Sequence, residues 1–483
     1  MVDVLACFAS VAPPPTLLID APSGREPERR YILEVVLSDW LGLDFRLHLE
    51  ERTDVRIRLE GEAPRRCVLV PDVLFVTARE KWLTAASLPR PPLPSFTVAP
   101  PGSGPLVAGE RLPVLYGASP PAASPVVDPQ VDRLEVDVFG SAFFMLTRYE
   151  EVVVPDRDRY GRFPASSSVA GRAGLLRAPI VDAYVELLWS ALERAWPRLR
   201  RRARRFGLLV THDVDDPLAT LGRGPALIAR QLAADLLLRR DVRLAGRRVR
   251  SAAAARSGDH RLDPHNTFNF LMDVSERNGH RSAFYFLANR RLDPLNGTYV
   301  LEHPWVRGLI GHIHGRGHEV GLHGSFQSYR DPARIKQEFA HLRAVAQTQG
   351  VHQDEWGGRQ HYLRWANPVT WANWSDAGLT YDVTLAYHDA VGFRTGTCHA
   401  YRVFDLIERR PLDLRELPFQ VMDGTLFSYM SLSPDAARDA VMEIAAQCRR
   451  FQGSLGLLWH NSALPTGRQK RWYESLVGAV TNP

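Results

Sequence analysis

Apolar and polar positions along this chain follow two different rhythms, and the change between them divides it. In the first hundred residues Phe45-Arg-Leu-His-Leu49 and Val55-Arg-Ile-Arg-Leu59 alternate with period two, the spacing of half-buried strands. Cys67-Val-Leu-Val-Pro71 adds another short strand, and Tyr31–Leu37 fits a strand or a short helix. Proline-rich segments at 89–106 and 113–128 predict loops. From Asp137 to Glu151 apolar positions recur every three or four residues, which predicts a helix. Ile180–Trp196 reads as a second amphipathic helix, ended by Pro197. Together these predict a mixed α/β domain over residues 1–200, with no catalytic constellation of its own.

Beyond an arginine cluster at 198–205, strands and helices begin to alternate. Phe206–Asp216 is an apolar run that ends in acids, followed by an Arg- and Ala-rich insertion at 217–262 that predicts exposed helices. Helices are expected at Thr267–Asn278, Val306–Arg316 and Pro332–Gln349, with strands at Ser282–Leu287, Glu319–His323, Leu414–Phe419 and Ser454–Asn461. Strands separated by helices at this spacing run parallel, in an α/β barrel or an open α/β sheet. Sites in such folds form at the carboxyl ends of the strands.

Composition narrows the picture. At 483 residues and 45% hydrophobic content the chain can bury two ordinary cores. No apolar run approaches membrane-spanning length, and Met1–Phe8 lacks the features of a signal peptide, so a soluble, cytoplasmic protein is expected. The four cysteines, Cys7, Cys67, Cys398 and Cys448, are scattered and read as reduced, structural thiols. The net charge of +6 comes largely from arginines at 198–205 and 239–250. Those runs lack interleaved aromatics and any nucleic-acid motif, so they read as solvated helix faces, and nucleic acid is not an expected partner.

The acids at the end of the first strand carry the chemistry. Side chains on a strand alternate faces, so Asp213 and Asp215 point one way while His212 and Val214 point the other. Two like charges so close need a cation or a shared proton, which makes a metal site or an acid/base pair the functional reading. The plainer reading is an Asp-Asp-Pro turn at 215–217.

Four strand ends decide between them. Thr211-His-Asp-Val-Asp215, Gly321-Leu-His-Gly-Ser325, Arg359-Gln-His-Tyr362 and Leu458-Trp-His460 follow one another in an order that resembles the motif series of the polysaccharide deacetylase (NodB-homology, carbohydrate esterase family 4) superfamily. Phe139-Gly-Ser-Ala-Phe-Phe144 and Gly161-Arg-Phe-Pro-Ala165 resemble an uncharacterised domain found ahead of such modules in polysaccharide-biosynthesis proteins. The resemblance implies an α/β fold, a distorted (β/α) barrel of the NodB-homology type over 206–483 preceded by the smaller mixed α/β domain. It also implies a carbohydrate substrate, an N-acylated sugar that is deacetylated with a divalent metal, zinc being the expected one.

By position Asp213 becomes the base and Asp215 a metal ligand, with Val214 between two acids that are usually adjacent. The second motif normally supplies two histidines four residues apart; His323 is one, and Gln327 stands at the other position. The third ligand then falls to His361, which stands where the family has a proline, or to His212 or His318. Arg359 matches the arginine that orients the base, and His460 the general acid. Tyr329 and Trp365 are candidates for stacking on a sugar ring, and Arg394 for binding a carboxylate or phosphate on it. Two rival readings stand beside this one: a metal-independent C–N hydrolase on the same barrel, for which Gln327 argues, and a catalytically silent carbohydrate-binding or scaffold protein.

Overall fold

The computed structural model describes residues 15–98, 104–117, 130–238, 240–288, 295–297 and 299–482. Residues 1–14, and positions 99–103 and 118–129 of the expected proline-rich loops, lie outside these. Contacts gather the described residues into two units, the first drawn from Met1–Pro89, Leu93–Phe143 and Ala183–Ala203.

In that first unit the period-two runs are strands because one side of each has something to bury. Strands β1 (Leu17–Pro22), β2 (Phe45–Glu50), β3 (Asp54–Leu59), β4 (Cys67–Pro71) and, after a separate pairing of β5 (Ser95–Thr97) with β6 (Arg111–Pro113), β7 (Val131–Arg133) form the elements. The main sheet has the order β2-β1-β3-β4-β7. On β3, Val55 and Ile57 face the core, while Arg56 and Arg58 each reach Asp20 on the neighbouring β1 at 2.9 Å. The segment left open as strand or helix is helical over Glu26–Leu33 and continues in wider turns to Leu41.

The helix expected over 137–151 is two helices, Val138–Leu146 and Tyr149–Val153, separated where Arg148 adopts φ 50°. The second unit comprises Arg90–Pro92, Phe144–Asp182 and Arg204–Pro483, so besides a division at Ala203/Arg204, Phe144–Asp182 groups with the later part of the chain. Buried charge is the physical reason. Arg148, Glu150 and Glu151 are all within 3% of complete burial and need the partners that lie in 386–394.

The rest of the second unit is built on β8 (Gly207–Val214), β9 (Ser282–Leu287), β10 (Glu319–Gly324), β11 (Gly357–Gln360), β12 (Tyr381–Asp382), β13 (Tyr401–Asp405), β14 (Arg410–Glu416), β15 (Val421–Met422) and β16 (Ser454–Leu458). They form one nine-stranded sheet, β13-β14-β12-β11-β10-β9-β8-β16-β15, in which every strand except β13 runs parallel to its neighbours. Crossover helices such as Phe268–Arg277, Pro304–Gly315, Pro332–Thr348 and Pro434–Arg450 cover it, and all six residues of β9 are buried, as expected of a strand enclosed on both faces.

The sheet is strongly curled. Tyr381 of β12 and Met422 of β15 belong to one buried cluster with Ala283, Tyr285, Phe419 and Leu458. In a flat sheet β12 and β15 would stand six spacings, about 29 Å, apart. The curl does not close, however. β13 and β15 are its edges and do not pair, so the expected distorted barrel is, among the described residues, an open curled α/β sheet. An open edge is accommodated here because β15 is two residues long and β13 runs antiparallel, which turns the chain back on itself.

Candidate active site

Parallel strands deliver all their carboxyl ends to one rim, and in this sheet β8, β9 and β16 are largely apolar until that rim. β8 ends in Asp213 and Asp215, β10 in His323, and β11 in Arg359 with His361 just beyond; Asp423 follows β15 and His460 follows β16. Asp213, Asp215, His323, His361 and His460 line one cavity of about 520 Å³.

Arg359 anchors the arrangement. Its guanidinium is fully buried and every arm is bound: Nε donates to the Val383 carbonyl at 2.8 Å, Nη1 to Asp213 Oδ1 at 2.6 Å, and Nη2 to Thr211 Oγ1 at 2.9 Å. Three strand spacings separate β11 from β8 in the ladder, so only the curl lets this pair meet. Burial works against charge on Asp213, but Arg359, with His323 and His460, outweighs it and holds the carboxyl below the usual range.

Asp215 shares the face of Asp213, as strand alternation requires. Its Oδ1 lies 3.2 Å from His323 Nε2 and 3.4 Å from His361 Nδ1, and its Oδ2 lies 3.5 Å from His460 Nε2. Burial again opposes the charge, and His361 and His323 overturn it, so this carboxyl sits well below its ordinary range. Gly297, at φ 82°, passes so close that a Cβ there would lie 2.5 Å from the Asp215 carbonyl oxygen, which restricts the position to glycine.

The two imidazoles are turned toward Asp215 by their surroundings. His323 Nδ1 lies 2.9 Å from the Arg359 carbonyl, which can only accept, so the ring presents Nε2 to the acids. Burial favours the neutral ring, but Asp213 and Asp215 raise His323 above its usual value. His361 Nδ1 lies 2.7 Å from His323 Nε2, and burial pushes His361 down to about 4 against the pull of Asp215. Tyr362 and Leu363, which follow His361, both have left-handed backbones, at φ 59° and 57°. Two such bulky residues in succession are costly, and they hold His361 at the rim with Tyr362 edge-on to it at 4.5 Å.

Asp215, His323 and His361 place ligand atoms within 4.8 Å of one another. Asp215 Oδ1 is buried and has no hydrogen-bond partner among the described residues. An orphaned carboxylate oxygen faced by two imidazole nitrogens is a donor set that suits a zinc-like divalent cation, and three protein ligands leave a position open.

His460 stands opposite. Its Nδ1 donates to Asp423 Oδ1 at 2.7 Å, and its backbone N–H donates to Asp423 Oδ2 at 3.2 Å, which aims Nε2 into the cavity. Burial lowers the ring's affinity for a proton, but Asp423, followed by Asp215 and Asp213, outweighs it and pushes His460 up to about 10.

The other sequence candidates fall elsewhere. Gln327 accepts from Asn296 Nδ2 at 2.9 Å and is not part of the cluster. His212 lies on the opposite face of β8, with Nδ1 2.7 Å from the Trp459 carbonyl and its ring against Phe284. His318 precedes β10, at the far end from the rim, and accepts from the Ser282 N–H at 3.0 Å. Trp365 is 1% exposed and packs edge-on against Trp371. Tyr329 lies under the Arg364 guanidinium at 4.0 Å and does not line the cavity. Arg394 is buried in an ion pair with Glu151 at 2.7 Å and is not available to a ligand. The structure therefore brings six of the nine predicted residues together, and it leaves the three sugar contacts outside.

It also adds residues that the sequence pattern did not reveal. Asp423 follows an apolar pair, Val421-Met422, too short to register as a strand. Arg162, Tyr362 and Tyr429 line the cavity, with Arg162 held by Asp158 at 2.7 Å and by the Tyr429 hydroxyl at 3.1 Å.

Residues 17–197 match the model of a family of unknown function, DUF7033. No curated protein matches the chain. Among solved structures it is similar to a Mycobacterium smegmatis protein assigned as a polysaccharide deacetylase, with 17% identity over 58% of this chain and 85% of that one and a TM-score of 0.38. A family 4 carbohydrate esterase from Streptomyces lividans, in complex with acetate, aligns at 13% identity over 58% and 91% with a TM-score of 0.27. PuuE allantoinase aligns at 11% identity over 57% and 84% with a TM-score of 0.35.

Proposed function

We propose that this chain hydrolyses the N-acyl group of an amino sugar, an acetyl group in the simplest case. The observation that carries the reading is the division of labour in one cavity: a carboxylate tied to a buried arginine, a carboxylate with two imidazoles and an orphaned oxygen, and a third imidazole aimed from the other side. Asp215, His323 and His361 would hold a divalent cation, which supplies Lewis acidity toward an amide carbonyl and acidifies water. Asp213, ionised and fixed by Arg359, takes a proton from the attacking water. A carboxylate held that low is a weak base toward ordinary water, which is itself an argument for the cation beside it. The carbonyl carbon becomes tetrahedral, the C–N bond breaks, and His460, charged and oriented by Asp423, gives its Nε2 proton to the departing nitrogen. The products are a carboxylic acid and a free amino sugar.

The direct test is release of acetate from N-acetylated hexosamines, as monosaccharides and short oligosaccharides, by chain loaded with Zn²⁺ and by chain stripped with a chelator. Turnover that depends on the metal supports the reading. Absence of turnover with any divalent ion would overturn it, and turnover that survives chelation would favour the metal-independent rival.

Three variants separate the roles. In His361→Ala, affinity for Zn²⁺ measured against a competing chelator should fall by more than about 10²-fold, because a direct ligand outweighs the outer contacts that already change affinity 10- to 100-fold. Gln327→Ala should leave that affinity unchanged; the reverse pattern would return the third ligand to the position the family motif assigns. Asp423→Asn should lower kcat by about 10²-fold with bound metal unaltered, since it frees the His460 ring to turn away. If kcat is unaffected, Asp423 has no positioning role.

A further inference from the structure

The insertion between β8 and β9 forms a helical hairpin, Pro225–Leu237 and Val242–Ala254, closed by a buried ion pair between Asp235 and Arg248 at 2.8 Å. That pair, with Arg248 also bonded to the Gln231 side chain at 2.8 Å, fixes one helix on the other, while Leu244, Ala245 and Ser251 are buried beneath them. What faces outward is unusual in two respects. Leu227, Leu236, Leu237, Leu238, Val242 and Val249 are all exposed, and Leu237, Leu238 and Val242 at the tip are 76%, 83% and 70% exposed. Leucines left in water on consecutive positions at the end of a helix are a signature of a surface that something else covers.

Charge identifies the cover. Residues 223–256 contain nine arginines and two aspartates, with no lysine or glutamate, a net +7, whereas the whole chain carries +6. The hairpin with the arginines that flank it, Arg223 and Arg256, therefore carries the equivalent of the protein's entire excess positive charge, and exposed Arg240 and Arg243 flank the leucine tip. Arginines around protruding leucines match the interface of an anionic bilayer, where aliphatic side chains enter among the acyl chains and guanidinium groups meet phosphate. Nucleic acid would use the arginines but has no place for the leucines, and the hairpin carries no aromatic residue for stacking on bases. No helix among the described residues is long and apolar enough to cross a membrane, so the contact is with a surface.

We propose that the tip of this hairpin, through Leu236, Leu237, Leu238 and Val242, docks the protein on an anionic membrane surface. The hairpin also supplies Asp241 and Leu244 to a second cavity of about 560 Å³, which shares Gly424 and Ser428 with the candidate active site. Docking would thus bring a lipid-borne substrate next to the cleft, a consequence that rests on the function proposed above. The docking itself does not.

The test is flotation of the full chain with vesicles of phosphatidylcholine alone and of phosphatidylcholine mixed with phosphatidylglycerol. Binding is expected only to the mixed vesicles. Leu237→Asn with Leu238→Asn should weaken it by at least about tenfold, given the area those side chains would bury. Arg240→Gln and Arg243→Gln should each weaken it by about fivefold, and added salt should do the same. Neither pair of changes touches the cavity residues, so acetate release from a soluble sugar should be unaltered. The proposal is overturned if the mixed vesicles do not bind, or if binding survives loss of both leucines. It is likewise overturned if the leucine variant changes the oligomeric state in sedimentation without changing vesicle binding, which would make a second copy the cover. Salt-sensitive capture of nucleic acid that ignores the leucines would count against it too. Because the outcomes that overturn it are read without turnover, its failure is distinct from a failure to find turnover.

Discussion

Asp213→Asn is expected to lower kcat for acyl release by about 10²–10⁴-fold, the range a positioned general base contributes. The substitution keeps the shape of the side chain and an oxygen for Arg359 Nη1, so the hydrogen bond at 2.6 Å has a successor. What it removes is the charge, and with it the proton acceptor. Because Asp215, His323 and His361 are untouched, bound divalent metal should remain at the wild-type ratio, which distinguishes a base from a ligand. KM should change little, since the carboxylate acts on the water and not on the sugar. Some stability will also be lost, because the guanidinium of Arg359 is completely buried and would lack its counter-ion; near-ultraviolet circular dichroism of the variant controls for that. Wild-type kcat in a folded, metal-replete Asp213→Asn protein would end the assignment of Asp213 as the base.

Why the pair at 213 and 215 could be found in advance, and its companions only in part, follows from what a one-dimensional pattern encodes. A largely apolar strand that ends in an acid or a histidine is visible locally, and β8, β10 and β16 are of that kind. β15 is the same device shortened to two residues, so Asp423 left no trace. Among the candidates for the third ligand, strand geometry already separates the three histidines. His212 alternates to the face opposite Asp213, and His318 precedes its strand, whereas His361 follows one, and only the last of these reaches the carboxyl rim. The curl of the sheet is not legible in the sequence, because it is a property of how seven parallel pairings and one antiparallel pairing twist together. Strand and helix alternation alone allows either a barrel or an open sheet, and closure is what the family resemblance implies. Trp365, Tyr329 and Arg394 were read as sugar contacts because aromatic and cationic side chains near strand ends are common in binding sites, yet burial depends on partners far away in the chain. Glu151, the partner of Arg394, lies 243 positions earlier.

That distant pairing makes Arg394→Met the second large expectation: a loss of about 3–5 kcal/mol of stability, the cost of breaking a buried ion pair from one side. Two arginines and two glutamates are enclosed together. Arg148 reaches Glu150 at 2.7 Å and Glu151 at 2.9 Å, and it also donates to the Arg394 carbonyl. Arg394 reaches Glu151 Oε2 at 2.7 Å and the Ala386 carbonyl at 3.0 Å, and Glu150 Oε2 accepts the Val169 N–H at 2.7 Å. The charges balance, and Arg394 and Arg148 outweigh burial to hold the Glu151 carboxyl below its usual range. Without Arg394 one buried negative charge lacks its match, and the strained backbone at Arg148, φ 50°, loses part of what holds it. Thermal and denaturant unfolding of the variant should show the loss directly. Pairing Arg394→Met with Glu151→Gln should recover much of it, because the second change removes the orphaned charge, and the coupling energy from that cycle is expected to exceed about 1 kcal/mol. A surface arginine that binds a substrate anion predicts the opposite behaviour, an unchanged unfolding midpoint with a raised KM. That outcome would return Arg394 to the cleft and would remove the electrostatic reason for Phe144–Asp182 to belong to the second unit.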